Sequence, residues 1–94
     1  MHTNKNSKDY SSISEEYRKR FQTYSVYKLV ECLNREIQCK GWTSSRAIYL
    51  DELRRAFNSR NINTSNLETS FGPYIAFSLA HKVFLHNDTL FPIQ

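Results

Sequence analysis

Residues 77–93, FSLAHKVFLHNDTLFPI, decide the fold class of this chain. Phe77, Leu79, Val83 and Leu85 alternate with Ser78, Ala80 and Lys82 at the period of two expected of a half-buried strand. Asn87-Asp88 makes a two-residue turn, because both residue types tolerate the left-handed backbone of a tight hairpin. Leu90–Ile93 is then the returning strand, in a register that pairs Leu85 with Leu90 and Phe84 with Phe91. Pro92 has no amide proton, which places the last strand at an edge or ends its pairing there. His81 falls in the inward phase and is expected to be buried or half-buried with a hydrogen-bond partner, not to act as a general base.

Upstream of the hairpin the pattern is helical. Ser65-Asn66-Leu67-Glu68 matches a capping box, in which the Ser hydroxyl and Glu carboxylate satisfy each other's backbone amides. Gly72-Pro73 supplies a stop, so a short helix is expected over 66–71, with a proline-kinked helix running to Leu79 as the alternative. Residues 44–59 read as one helix capped by Ser44 or Ser45 and burying Leu50, Leu53 and Phe57. The competing reading makes 47–50 a strand and lets Asp51 cap a shorter helix. The strongest helix lies before it. Ser25 caps a run in which Val26, Leu29, Val30, Leu33 and Ile37 fall on one face, and Gly41 is placed to end it. A shorter helix from a Ser14 cap puts Tyr17, Phe21 and Tyr24 on one side.

These elements specify an α+β fold of about three helices followed by a C-terminal antiparallel β-hairpin. The order helix, helix, short helix, hairpin resembles that of a winged helix-turn-helix, which bears on fold and not on function. Residues 1–12 are polar and read as a disordered tail, leaving 13–94 as a single small domain. At 94 residues the chain has little room for a deep substrate cavity, and six Phe, six Tyr and one Trp are enough either to make a small core adequate or to feed a dimer interface.

The formal charge is +4 and unevenly distributed. Residues 1–24 carry five basic and three acidic side chains, residues 25–60 seven and four, and residues 61–94 one and two. The basic character therefore lies in the first two thirds. Cys32 and Cys39, on one helix, would stand about 10.5 Å apart along its axis, beyond the reach of a disulfide. Two free thiols, no apolar leader and no run near 18 apolar residues point to the cytoplasm, with no membrane span.

Residues for chemistry are scattered. His81 and His86 would face opposite sides of a strand, His2 lies in the tail, and no histidine neighbours the cysteines, so no metal site is expected. With two glycines there is no phosphate-cradling loop, and no nucleophile sits on a strand–turn–helix elbow. Asp51 and Glu52, adjacent on a helix, point about 100° apart and do not form a carboxylate pair. The expectation is a protein that is not an enzyme and takes no cofactor.

Binding remains. Lys40, Arg46, Arg54, Arg55 and Arg60 cluster about the 44–59 helix, and Arg18-Lys19-Arg20 adds a second basic run, enough for contact with a nucleic-acid backbone. The orthodox docking mode is weakened, since the expected short helix offers Asn66, Glu68, Thr69 and Ser70 and the hairpin only Lys82. The plainer account is a solvated face with an Asp51–Arg55 pair and Arg54 free. The alternative function is protein interaction or homodimerisation through Tyr17, Phe21, Tyr24 and Tyr27 and the hairpin edge at Leu90. Its plainer account is that these aromatics complete the core.

Overall fold

The computed structural model describes residues 10–39 and 43–93. Three helices, α1 (Tyr10–Gln22), α2 (Val26–Gln38) and α3 (Ser44–Ser59), precede two antiparallel hairpins. The first hairpin is β1 (Glu68–Phe71) with β2 (Tyr74–Phe77), and the second is β3 (Val83–His86) with β4 (Thr89–Pro92). The layout is α+β, as the sequence pattern requires.

α2 and α3 form as their periodicity dictates. The Ser25 hydroxyl accepts the Lys28 amide at 3.1 Å and starts α2. Leu29, Cys32 and Leu33 are buried, with Val26, Val30 and Ile37 packed against them. The helix ends at Cys39, whose backbone is extended, and Gly41 lies outside the described residues. α3 is a single helix, capped by Thr43 one residue before the expected position, and it buries Ile48, Leu50, Leu53 and Phe57. It closes in a Schellman motif: Asn61, at φ 60°, donates to Asn58 and Ile62 donates to Phe57. An asparagine takes the left-handed position usually held by glycine because its short polar side chain tolerates that backbone.

α1 starts at Tyr10, so residues 10–12 are helical and the other residues of the expected tail lie outside those described. Ser14 is therefore inside the helix and not its cap. It is buried, and its hydroxyl donates to Glu52 across the α1–α3 contact.

The second hairpin has the expected register, Leu85 opposite Leu90 and Phe84 opposite Phe91. Asn87 and Asp88 take φ of 49° and 59°, the left-handed pair of a type I′ turn. The strand is shorter than the alternation implied, however. Residues 78–82 connect two hairpins, which leaves His81 exposed instead of in the core. The stretch expected as a short helix is also different. Ser65–Leu67 is one 3-10 turn, and Glu68–Phe71 is a strand paired with Tyr74–Phe77. Gly72, at φ 61°, occupies the first central position of the turn between them, the place glycine takes in a II′ hairpin. The capping box does not form. Glu68 accepts from the Thr64 hydroxyl at 2.6 Å, and the Ser65 amide donates to the Asn63 side chain.

One core joins the parts. Phe21 of α1, Leu29, Cys32 and Leu33 of α2, Leu50, Leu53 and Phe57 of α3, and Val83 and Leu90 of the second hairpin meet in it. Ile62 and Leu67 bring the intervening segment into the same cluster.

Candidate functional site

Most of the basic cluster is engaged within the chain. Arg46, mostly buried, donates from Nε to Glu36 Oε1 at 2.9 Å and from Nη2 to the Glu36 carbonyl at 2.6 Å, joining α3 to the end of α2. Arg60 donates through Nη2 to the carbonyls of Phe21 and Tyr24, at 2.9 and 2.6 Å. The Phe21 carbonyl, which also accepts the Tyr24 amide, lies in the last turn of α1 and the Tyr24 carbonyl just past it, so this arginine ties the α1–α2 connection to the end of α3. Arg54 is not free: its Nη2 meets Asp51 Oδ1 at 3.1 Å, while Arg55 Nε takes Oδ2 at 3.0 Å. Lys40 lies outside the described residues. Of the four arginines expected to bind nucleic acid, only Arg55 is broadly exposed.

The aromatic surface expected on the first helices is largely core. Phe21 is fully buried and Tyr17 half-buried, stacked on Phe21 with centroids 6.3 Å apart and edge-on to Tyr49 at 5.0 Å. Tyr24 is half-buried against Phe21, and Leu90 is fully buried, so neither Phe21 nor Leu90 offers a surface. Tyr27 alone of this set is open to solvent, at 78%. Among the described residues the other exposed large apolar side chains are Tyr74, Ile75, Phe84 and Ile93. The Tyr49 phenol is pushed above its ordinary range by burial first and by a hydrogen bond with Cys32 second.

The feature that spacing did not reveal is Glu52. It is 3% exposed, accepts from Ser14, and receives Nε and Nη2 of Arg18 at 3.3 Å each. Asp51 and Glu52 do diverge as expected, Asp51 holding two arginines of its own helix and Glu52 reaching α1. Arg18 is held above its ordinary range by its hydrogen bond to Glu52 and then by that carboxylate's charge. The i+4 spacing of Ser14 and Arg18 puts them on one helix face, but nothing in the sequence names their common partner thirty-four residues past Arg18.

Beside this pair lies a cleft of about 290 Å³ between α1 and α3, lined by Arg18, Gln22, Glu52, Arg55, Ser59 and Arg60 among others. Three arginines thus line it with one buried carboxylate: Arg18 from α1, Arg55 from α3 and Arg60 from the residue that follows α3, whose Nη1 is buried with no acceptor. A second cleft of about 180 Å³ separates α3 from β2, lined by Ala47, Leu50, Arg54, Ile75, Ala76 and Phe77 with Asp51.

Among the described residues no three His, Cys, Asp or Glu side chains come together as a metal site, and no helix is long and apolar enough to cross a membrane. Cys32 is a buried free thiol and Cys39 an exposed one. No protein-family model, curated protein or solved structure matches the chain, so the likeness of its element order to a winged helix has no neighbour behind it.

Proposed function

We propose that this chain is a non-catalytic binding module that holds a nucleic-acid phosphate backbone across the α1–α3 cleft, in a reducing cytoplasm where Cys32 and Cys39 stay thiols. The observation that carries the reading is the convergence of Arg18, Arg55 and Arg60 on one cleft, with Glu52 as the acid among its lining residues. Gln22 and Ser59 add neutral hydrogen-bonding groups to the same walls. Arg18 and Arg55 are each held at one side by a carboxylate, which limits the side-chain entropy lost when a phosphate oxygen is added on the other.

The contacts are of the backbone kind. The stretch that a winged helix would present to the major groove is here a strand without Lys or Arg, so base readout is not part of the reading. Binding is therefore weak and insensitive to base sequence, with a dissociation constant of about 10⁻⁴–10⁻⁶ M. Fluorescence anisotropy with short DNA and RNA at about 50 mM salt tests it, since affinity is greatest at low salt. Three phosphate contacts give a slope of log K on log salt of roughly −2 to −3, and Arg55→Gln reduces that slope by about 1. No binding to any nucleic acid at that salt ends the reading.

A further inference from the structure

Two of the clefts along α3 meet at one side chain. The α1–α3 cleft runs against Glu52, Ala56 and Ser59, and another, of about 400 Å³, runs against Asp51 and Arg54 on the side of the first hairpin. At about 100° per residue these are neighbouring faces of the helix, and Arg55 stands on the ridge between them and lines both. Its Nε is tied to Asp51, but neither Nη group has a partner among the described residues, and the side chain is 61% exposed. Asp51, the acid of the hairpin-side cleft, is already held by Arg54 through Oδ1 and by Arg55 through Oδ2. Two arginines against one carboxylate leave that cleft with a net positive charge.

The opposite wall of the cleft is Pro73, Tyr74 and Ile75 of the first hairpin. Tyr74 is 72% exposed, and its side chain makes no hydrogen bond, ring stack or cation–π contact with a described residue. By contrast, Tyr17, Tyr24 and Tyr49 all pack against the Phe21 ring, and Phe84 stacks on Phe91. Tyr27 on α2 is equally open, but Tyr74 stands across a cleft from two arginines. An aromatic face beside a basic groove is the arrangement that takes a single-stranded nucleic acid, cations tracking the backbone while rings stack on its bases.

We infer that the nucleic acid is a single strand, with Arg55 on a phosphate and Tyr74 stacked on an adjoining base. This rests on the backbone binding proposed for the α1–α3 cleft. The strand leaves that cleft over the Arg55 ridge, where the unpartnered Nη groups take a phosphate oxygen while Nε keeps its contact with Asp51. The next base then lies against Tyr74. A duplex cannot use the ring, because each of its bases is covered on both sides by its neighbours. An unpaired base offers its π-face, and since every base has one the stack tolerates any sequence.

Anisotropy at about 50 mM salt tests this with four labelled ligands of about 12 nucleotides. They are an oligothymidylate, an oligouridylate, an abasic strand with the same phosphates, and a duplex. Tyr74→Ala should weaken both base-bearing single strands about tenfold, the effect of one lost stack, whereas Tyr74→Phe should bind as the unaltered protein does. The tighter of those two strands identifies the sugar. On the abasic strand and the duplex Tyr74→Ala should change affinity by less than about twofold, since neither gives the ring a base to stack on. The slope of log K on log salt should be the same in Tyr74→Ala, which shows the arginines still in place. Unweakened binding of both base-bearing strands by Tyr74→Ala overturns the inference, and so does an equal loss on all four ligands. In either case the effect of Arg55→Gln on the salt slope would persist, and backbone binding in the cleft would stand without the stack. No binding of any ligand ends both.

Discussion

The two hairpins are alike in size, four residues to a strand and two to a turn, yet they are attached to the molecule in different ways. β3–β4 contributes Val83 and Leu90 to the core, and the outward backbone groups of those two residues are taken by Asn34, Asn63 and Asn66. β1–β2 contributes no fully buried residue among those described; Phe77 is packed against the core and Tyr74 and Ile75 face water. Hairpins of two strands are marginal alone. The contrast therefore separates a hairpin stabilised by burial and side-chain amides from one stabilised by its turn and a few contacts with α3.

Truncation of Leu90 should have the largest effect. The side chain is fully buried between the hairpin and the helices, so Leu90→Ala should lower unfolding free energy by about 2–5 kcal/mol in a denaturant titration. Ile75→Ala, at a half-exposed site, should stay within about 0.5 kcal/mol. Equal costs at the two positions would remove the distinction between the hairpins.

Next is the side chain that closes β3. Asn34 stands in for a neighbouring strand, its amide giving one bond to the Val83 carbonyl and taking one from the Val83 amide. Asn34→Ala leaves both groups without their partner at a half-buried site and should cost about 1–3 kcal/mol. The more telling readout is exchange at the Val83 amide, which should quicken while the cross-strand amides of Phe84 and Phe91 remain protected. Unchanged stability would mean that water serves this edge as well as Asn34 does.

The second hairpin was legible in the sequence and the first was not, for a physical reason. Asn87-Asp88 and the alternation about it are local signals, and turn type and register follow from them without knowledge of the rest. Ser65 to Pro73 is ambiguous at the same scale. A glycine with positive φ ends a helix or opens a hairpin, and Ser-x-x-Glu suits a helix start whether or not one forms. Leu67 resolves the choice by joining the core, and the carbonyl of that same residue pairs with Ser78 across the sheet. Such contacts are not local.

The candidate site divides in the same way. Asp51–Arg55 could be read from i+4 spacing, and Arg54 lies three residues from the same carboxylate. The partners of Arg46 and Arg60 could not be read, because they belong to other helices and are partly backbone carbonyls. Phe21 and Tyr17 lost their surface role for a related reason. The ring that covers both is Tyr49, on a helix whose approach no spacing within α1 encodes.

The smallest global effect and the sharpest local one should come from Gly72→Ala. An added Cβ meets nothing within 4 Å, so space is not at issue. The cost lies in the backbone, since φ of 61° is reached readily by glycine and at more than about 1 kcal/mol by alanine. In a hairpin tied firmly to the core that strain would appear in the unfolding midpoint. β1–β2 is held more loosely, so it should open locally and release the strain before the core responds. Amide exchange at Thr69 and Ala76, which face each other inside this sheet, should therefore quicken several-fold. Exchange at Leu53 and Phe57 in α3 should hardly change, and neither should the global midpoint. A shift of the whole transition would place β1–β2 in the same cooperative unit as the core, and the difference between the hairpins would then be one of exposure and not of stability.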